Sequence, residues 1–156
     1  MRTSLVTGAN RGIGLEYCRQ LKARGDQVVA VCREPGPELE ALGVRIEAGV
    51  ELTDPDAVAA LMLRLEGVTL DLAILNAGVL QSMGLSDLDA EAIRLQFEVN
   101  ALAPLQLSRA LMPLMPHGSK LILMTSRMGS IDDNSSGGSY GYQRIPGKIT
   151  IYLECK

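Results

Sequence analysis

Residues 3–14 read TSLVTGANRGIG, and this stretch decides the fold. A short apolar run, Leu5-Val6, leads into three glycines at Gly8, Gly12 and Gly14. Residues 15–21 then have the apolar spacing of a helix. We therefore predict a strand, a glycine turn and a helix whose N-terminal N–H groups and dipole face a phosphate. Glycine suits such a turn, because a Cβ would hold the ligand away from the backbone.

The glycines are spaced G-x-x-x-G-x-G, which differs from the common G-x-G-x-x-G dinucleotide fingerprint. Taken alone, the glycines fit a tight turn as well as a cofactor turn. Their position between a strand and a helix, with further alternating elements downstream, favours a dinucleotide cofactor.

The composition indicates one globular domain, residues 1–156. Apolar residues make up 47% and charged residues 21%, so a core can form, and with no Trp and one Phe it must be aliphatic. The net charge is -3, which argues against nucleic acid as the main partner.

Three cysteines, Cys18, Cys32 and Cys155, are far apart and show neither metal-ligand nor disulfide spacing. We expect reduced thiols and a cytoplasmic setting, with no metal. We expect no signal peptide before the first strand, and no apolar run is long enough to span a membrane.

Short apolar runs alternate with helical patterns along the chain. We predict strands at residues 27–31, 44–47, 70–75 and 120–125, and helices at 38–42, 53–65 and 86–116. In the last helix, the residues expected to face the core are Leu88, Ile93, Leu95 and Phe97. The alternation implies an α/β fold, a doubly wound parallel sheet of about five strands with helices on both faces.

Ligands of such sheets bind at the carboxyl ends of the strands. Arg11 lies in the glycine turn and Arg33 follows the second strand, where a cation would pair with a 2′-phosphate and favour NADP over NAD. The alternatives are that both arginines are merely solvated, or that Glu34 accepts an NAD ribose hydroxyl. Asn76-Ala77-Gly78 follows the fourth strand, where small residues let the backbone pass close to a ribose, although an ordinary Asx turn also fits.

TGANRGIG resembles the cofactor turn of the short-chain dehydrogenase/reductase family, and Asn76-Ala77-Gly78, Asn100, Ser126 and Tyr142 match further motifs in the family's order. The resemblance covers nearly the whole chain and is strongest to the branch with an SRMGS-like segment. It implies a Rossmann sheet in the order 3-2-1-4-5. It also implies contact of Glu51-Leu52 with the adenine, although the family usually has Asp where Glu51 stands. The implied cofactor-binding residues are Gly8, Asn10, Arg11, Gly12, Ile13, Gly14, Arg33, Glu51, Leu52, Asn76, Ala77 and Gly78.

The resemblance also implies a set of catalytic residues. Tyr142 would be the acid/base, and Asn100, in V-N-x-x-x-P, would hold a water in a proton relay. A Ser126 hydroxyl at a strand end can hydrogen-bond a substrate carbonyl. A phenol has a pKa near 10 and needs a neighbouring ammonium to work at neutral pH.

The pattern breaks after Tyr142. The family's Lys, four residues on, is replaced by Pro146, which should also disrupt the helix, and Lys148 is the nearest substitute. The family's later segments are missing, so we expect a truncated or atypical member with an open sheet edge beside the fifth strand.

These features predict an NADP-preferring oxidoreductase, with NAD as the alternative cofactor, that passes hydride between nicotinamide and a small carbonyl or alcohol substrate. A second hypothesis is a catalytically weak or inactive dinucleotide-binding protein, favoured by Pro146. A third is an interaction protein, a fragment that dimerises or interferes with a full-length relative through its long helix, Glu91 to Met112. We also expect a homodimer through the long helix that includes Glu91 and Met112.

Overall fold

The computed structural model describes residues 1–126 and the backbone of residues 153–154. The strands are β1 (Thr3–Thr7), β2 (Gln27–Val31), β3 (Arg45–Glu47), β4 (Leu72–Leu75), β5 (Lys120–Leu123) and β6 (Leu153–Glu154). The α-helices are α1 (Gly12–Ala23), α2 (Pro37–Glu40), α3 (Pro55–Arg64), α4 (Ala90–Phe97) and α5 (Ala103–Leu111). A π-helical turn, Glu98–Leu102, joins α4 to α5, and a 3₁₀ turn, Met112–Leu114, follows α5.

Five strands form a parallel sheet in the order β3-β2-β1-β4-β5, which confirms the predicted fold and strand order. From β1 the chain continues through β2 to β3 on one side of the sheet and then crosses to β4 and β5 on the other side, so the order reverses between β1 and β4. In a doubly wound sheet a ligand crevice forms at such a reversal, outside the carboxyl ends of the strands.

Alternate side chains of the central strands enter two separate hydrophobic cores. Leu5 of β1 packs into one core with α3 and α5, whereas its neighbour Val6 packs into the other with α1 and α2. In β4, Ala73 packs into the same core as Leu5, and Ile74 packs into the same core as Val6. Both faces of the sheet are therefore covered, which explains the continuous apolar runs Leu5-Val6 in β1 and Leu72–Leu75 in β4.

Helix α3 begins as its sequence predicts. The carboxylate of Asp54 accepts a hydrogen bond from the Asp56 N–H, and Pro55 occupies the first helical position, where no N–H is needed.

The prediction for residues 86–100 was wrong in two respects. The helix begins at Ala90, because the Asp89 carboxylate caps it by accepting from the N–H groups of Glu91 and Ala92. Leu88, Leu95 and Phe97, expected in the core, are all between 44% and 49% exposed. The buried residues of this segment are polar, Gln96 and Asn100.

The edge of the sheet beside β5 also differs from the prediction. β6 pairs with β5 in the antiparallel sense, with Leu153 opposite Leu121 and Glu154 opposite Lys120. The edge that was expected to be open is thus covered over two residues.

Candidate functional site

The glycine turn takes a backbone path that depends on glycine. Gly8 and Gly12 have φ angles of 64° and 56°, which side chains disfavour. At Gly14 any side chain would clash, since a Cβ there would lie 2.1 Å from the Gly8 carbonyl oxygen. The turn is thereby folded tightly onto the start of α1.

The N-terminus of α1 is not capped by a side chain. Arg11 stands at the capping position without a side-chain cap bond, and the first turn holds no acidic residue. The first N–H groups of the helix and its positive dipole end are therefore available to an anion.

Thr7 fastens the glycine turn to the end of β4. Its Oγ1 accepts from the N–H groups of Asn76 (3.0 Å) and Ala77 (3.1 Å). The Asn76 amide in turn donates to the carbonyl oxygens of Thr7 (3.2 Å) and Gly8 (3.4 Å). Sequence reasoning missed Thr7, although a buried hydroxyl at the end of an apolar strand, directly before Gly8, signals such a role.

A cavity of about 750 Å³ opens at the carboxyl ends of β1, β2, β3 and β4. Every predicted cofactor-binding residue lines it except Gly14, which is buried in the first turn of α1. The predicted residues that it brings together are Gly8, Asn10, Arg11, Gly12, Ile13, Arg33, Glu51, Leu52, Asn76, Ala77 and Gly78. Residues that complete the lining without having been predicted are Val31, Cys32, Val50, Thr53, Val79, Leu95 and Val99.

The two arginines of the cavity differ in their contacts. Arg33 Nη1 lies 3.4 Å from Glu51 Oε2. Arg11 forms no side-chain hydrogen bond or ion pair with any residue of the described part of the chain. Among the described residues, the rim of the cavity therefore carries one paired cation, Arg33, and one unpaired cation, Arg11.

Asn100 lies in the π-helical turn and is 8% exposed. Its amide accepts from the Val79 N–H (2.9 Å) and donates to the Val79 carbonyl (2.8 Å). One helical turn earlier, Gln96 Oε1 accepts from the Gln81 N–H (3.1 Å). The two amides thus hold the segment after β4 against the helix.

Ser126 follows β5 and is half-buried at the same edge of the sheet. Tyr142 and Lys148 lie outside the described residues, and so does Pro146. Within residues 1–126 and 153–154, no three His, Cys, Asp or Glu side chains form a group that could hold a metal ion. No described helix has both the length and the apolar character needed to cross a bilayer.

The two described cysteines are buried thiols. Burial raises the pKa of Cys18 to about 11, with a further contribution from the nearby Cys32. Burial also raises the pKa of Cys32, which lines the cavity. Both are therefore protonated at neutral pH.

The family model of the short chain dehydrogenases matches residues 2–141. The 1-hydroxy-2-glutathionyl-2-methyl-3-butene dehydrogenase of Rhodococcus sp. (strain AD45) is 43% identical over 145 residues, which are 92% of this chain and 64% of that protein. The uncharacterized oxidoreductase YbbO of Escherichia coli (strain K12) is 32% identical over 145 residues, 89% of this chain and 54% of that protein. The chain thus spans less than two thirds of either relative's length.

Two solved structures have the same fold. The carbonyl reductase of Pseudomonas aeruginosa PAO1 in complex with NADP superimposes with a TM-score of 0.83 at 34% identity, covering 92% of this chain and 69% of that one. The NADPH-bound carbonyl reductase from chicken fatty liver gives a TM-score of 0.78 at 30% identity, covering 92% and 65%. With its glycine turn, its strand order and the family match over residues 2–141, the chain belongs to the short-chain dehydrogenase/reductase family.

Proposed function

We propose that this chain is an NADP-preferring oxidoreductase that acts on a small carbonyl or alcohol substrate. The observation that carries the proposal is the cavity at the strand ends, which gathers all predicted cofactor-binding residues except Gly14 from the segments that follow four separate strands. Its volume, about 750 Å³, is in the range of small-molecule and cofactor sites. The carbonyl reductases similar to this chain were solved with NADP or NADPH bound.

The glycine turn fits a dinucleotide. A Cβ placed on Gly12 would meet no atom within 4 Å, so the space above this residue is open toward the cavity. A pyrophosphate could approach the backbone there and receive hydrogen bonds from the N-terminus of α1. Arg11 and Arg33 would bind the 2′-phosphate, and Glu51 and Leu52 would lie beside the adenine.

The chain's own residues would bind the cofactor, orient the substrate and transfer a proton to the substrate oxygen. When bound, NADP supplies the hydride chemistry. Asn76-Ala77-Gly78 would border the nicotinamide ribose, and Asn100 would hold the segment that follows them. Ser126 would donate a hydrogen bond to the substrate oxygen, and Tyr142 would transfer the proton to it. Lys148 is our candidate for the ammonium that lowers the pKa of Tyr142.

We further propose that two copies associate through α4 and α5. Phe97, Leu105 and Met112 are each between 44% and 59% exposed along this segment. The π-helical turn takes up an extra residue, so Phe97 and Leu105 are about two turns apart and lie on one face, and Met112 follows about two turns later. A cytoplasmic setting is consistent with the buried thiols of Cys18 and Cys32.

Titration of the purified chain with NADPH and NADH, followed by nucleotide fluorescence, tests the proposal. We expect saturable binding that is tighter for NADPH. Arg33→Ala should weaken the binding of NADPH about tenfold or more, since a charge-assisted pair to phosphate is worth about 1.5–3 kcal/mol. The affinity for NADH should change by less than about twofold. Absence of binding in a folded chain would refute the cofactor assignment, and equal losses for both nucleotides would refute the role of Arg33.

A screen of aldehydes and ketones with the preferred nucleotide then tests turnover. Binding of NADPH without turnover of any carbonyl compound would favour the second hypothesis, a dinucleotide-binding protein.

A further inference from the structure

Glu51 forms an ion pair with the arginine assigned to the 2′-phosphate. Its Oε2 lies 3.4 Å from Arg33 Nη1, and both side chains line the mouth of the cavity. The pair is accessible to solvent, with 68% of the Arg33 side chain and 43% of the Glu51 side chain exposed. A phosphate that reaches Arg33 therefore meets a carboxylate already bound to it.

The Glu51 carboxylate is held in place from its other side. Oε1 accepts from the Thr53 hydroxyl (3.1 Å) and approaches the Thr53 N–H (3.4 Å). One oxygen is thus fixed by Thr53, which leaves the other directed at Arg33. Because Arg11 has no such counter-ion among the described residues, the competition is confined to one of the two cations.

We propose that Glu51 is a specificity-determining residue that competes with the 2′-phosphate of NADP for Arg33. The inference rests on the proposed function. A 2′-phosphate carries up to two negative charges, so its arrival at Arg33 must break the ion pair or place like charges side by side. The ribose of NAD has a hydroxyl there and meets neither cost. Glu51 therefore reduces the preference of this site for NADP over NAD.

Replacing Glu51 should affect nucleotide affinity differently if it competes for Arg33 than if it only contacts the adenine. Both nucleotides carry the same adenine, so a residue that only binds the adenine would affect them equally when replaced. If Glu51 competes for Arg33, removal of its charge should instead strengthen the binding of NADPH and leave the binding of NADH unchanged.

Glu51→Gln is the informative variant, because it keeps the shape and an oxygen acceptor for Thr53 while removing the charge. We expect the dissociation constant for NADPH to fall about threefold to tenfold, which is the range of an exposed ion pair plus the relieved repulsion. The constant for NADH should stay within about twofold. The gain should shrink in high salt, which screens exposed charges.

Two further variants separate the ion pair from general charge effects. Glu40→Gln removes an exposed carboxylate of α2 that does not line the cavity, and it should leave the ratio of the two constants unchanged. In an Arg33→Ala background, Glu51→Gln should bring a smaller gain, because the cation for which Glu51 competes is absent and only the repulsion of the phosphate is relieved. Glu51→Ala removes the same charge and serves if the amide variant does not fold.

Fluorescence titrations with both nucleotides decide the outcome. The inference is overturned if Glu51→Gln leaves the NADPH/NADH ratio unchanged, weakens both nucleotides, or gives the same gain without Arg33. In each of these cases the wild type still binds NADPH and the proposed function survives. Failure of the folded wild type to bind either nucleotide would instead overturn the proposed function and this inference together.

Discussion

Gly14 and Gly12 belong to one turn but require glycine for different reasons. A Cβ on Gly14 would lie 2.1 Å from the Gly8 oxygen and 2.7 Å from the Asn76 amide nitrogen, whereas one on Gly12 would meet nothing within 4 Å. Gly14 is thus constrained by packing inside the protein, and Gly12 by its backbone angle and by the open space above it.

The two alanine variants should separate these constraints. We expect Gly14→Ala to lower the free energy of unfolding by about 3 kcal/mol or more, since the clash involves backbone. Gly12→Ala should lower the free energy of unfolding by only about 1 kcal/mol, because of its positive φ, but it should strongly weaken the binding of NADPH. Urea unfolding and nucleotide titration of both variants measure this. Equal stability losses would contradict the packing account of Gly14.

The buried thiol of Cys18 should make the stability of the chain depend on pH in the alkaline range. Burial, followed by the nearby Cys32, raises its pKa from 9.0 to about 11. Between these values the unfolded chain releases the proton and the folded chain keeps it. The free energy of unfolding should therefore decline from about pH 9 to pH 11, by on the order of 2 kcal/mol.

Cys18→Ala isolates that contribution. Urea unfolding between pH 8 and pH 11 under reducing conditions should show that the free energy of unfolding declines less with pH in the variant. The smaller side chain should also lower this free energy by an amount that does not depend on pH. Parallel pH profiles for the two proteins would show that Cys18 is not responsible.

At the scale of elements, the π-helical turn between α4 and α5 places an amide where a regular helix would not. Such turns insert one residue and occur often at functional sites. Here the turn carries Asn100, whose amide forms both hydrogen bonds to Val79. The segment after β4 is a loop whose backbone groups need partners, and this helix supplies them.

Loss of the Asn100 amide should loosen this loop. We expect Asn100→Ala to lower the free energy of unfolding by about 1–3 kcal/mol, because two backbone groups of Val79 lose their partner, and to speed hydrogen exchange of the Val79 amide. Ser108→Ala is the matched control, since that hydroxyl bonds only the Pro104 carbonyl of its own helix, and it should cost less than about 1 kcal/mol. Unchanged exchange at Val79 would remove Asn100 from this role.

At the scale of the whole molecule, the proposed dimer depends on the exposed apolar face of α4 and α5. We expect the wild type to sediment as a dimer and Phe97→Ser to raise its dissociation constant about tenfold, as loss of an aromatic anchor does at interfaces. Leu63→Ser, on the exposed side of α3, should leave the dimer intact. Sedimentation equilibrium measures both, and a wild-type monomer would refute the proposed interface.

The sequence by itself predicted the α/β sheet and the carboxyl ends of its strands, and its resemblance to a family supplied the strand order and most of the cofactor-binding positions. Short, β-branched apolar runs such as QVVAV at residues 27–31 indicate buried strands, and glycine and polar residues after each run mark the carboxyl ends of the strands. Because parallel strands end at one edge, residues from Gly8 to Gly78 had to converge there.

Only the tertiary structure decided which side chains meet at that edge and which face of α4 is buried. Periodicity assigned Phe97 to the core, but the loop after β4 needs hydrogen-bond partners, so Gln96 and Asn100 point inward and Phe97 is exposed. The pairing of Glu51 with Arg33 joins positions 18 residues apart, in the segments that follow the neighbouring strands β3 and β2. No local pattern encodes such a contact, because it depends on how far each strand extends and on how its last side chains are oriented.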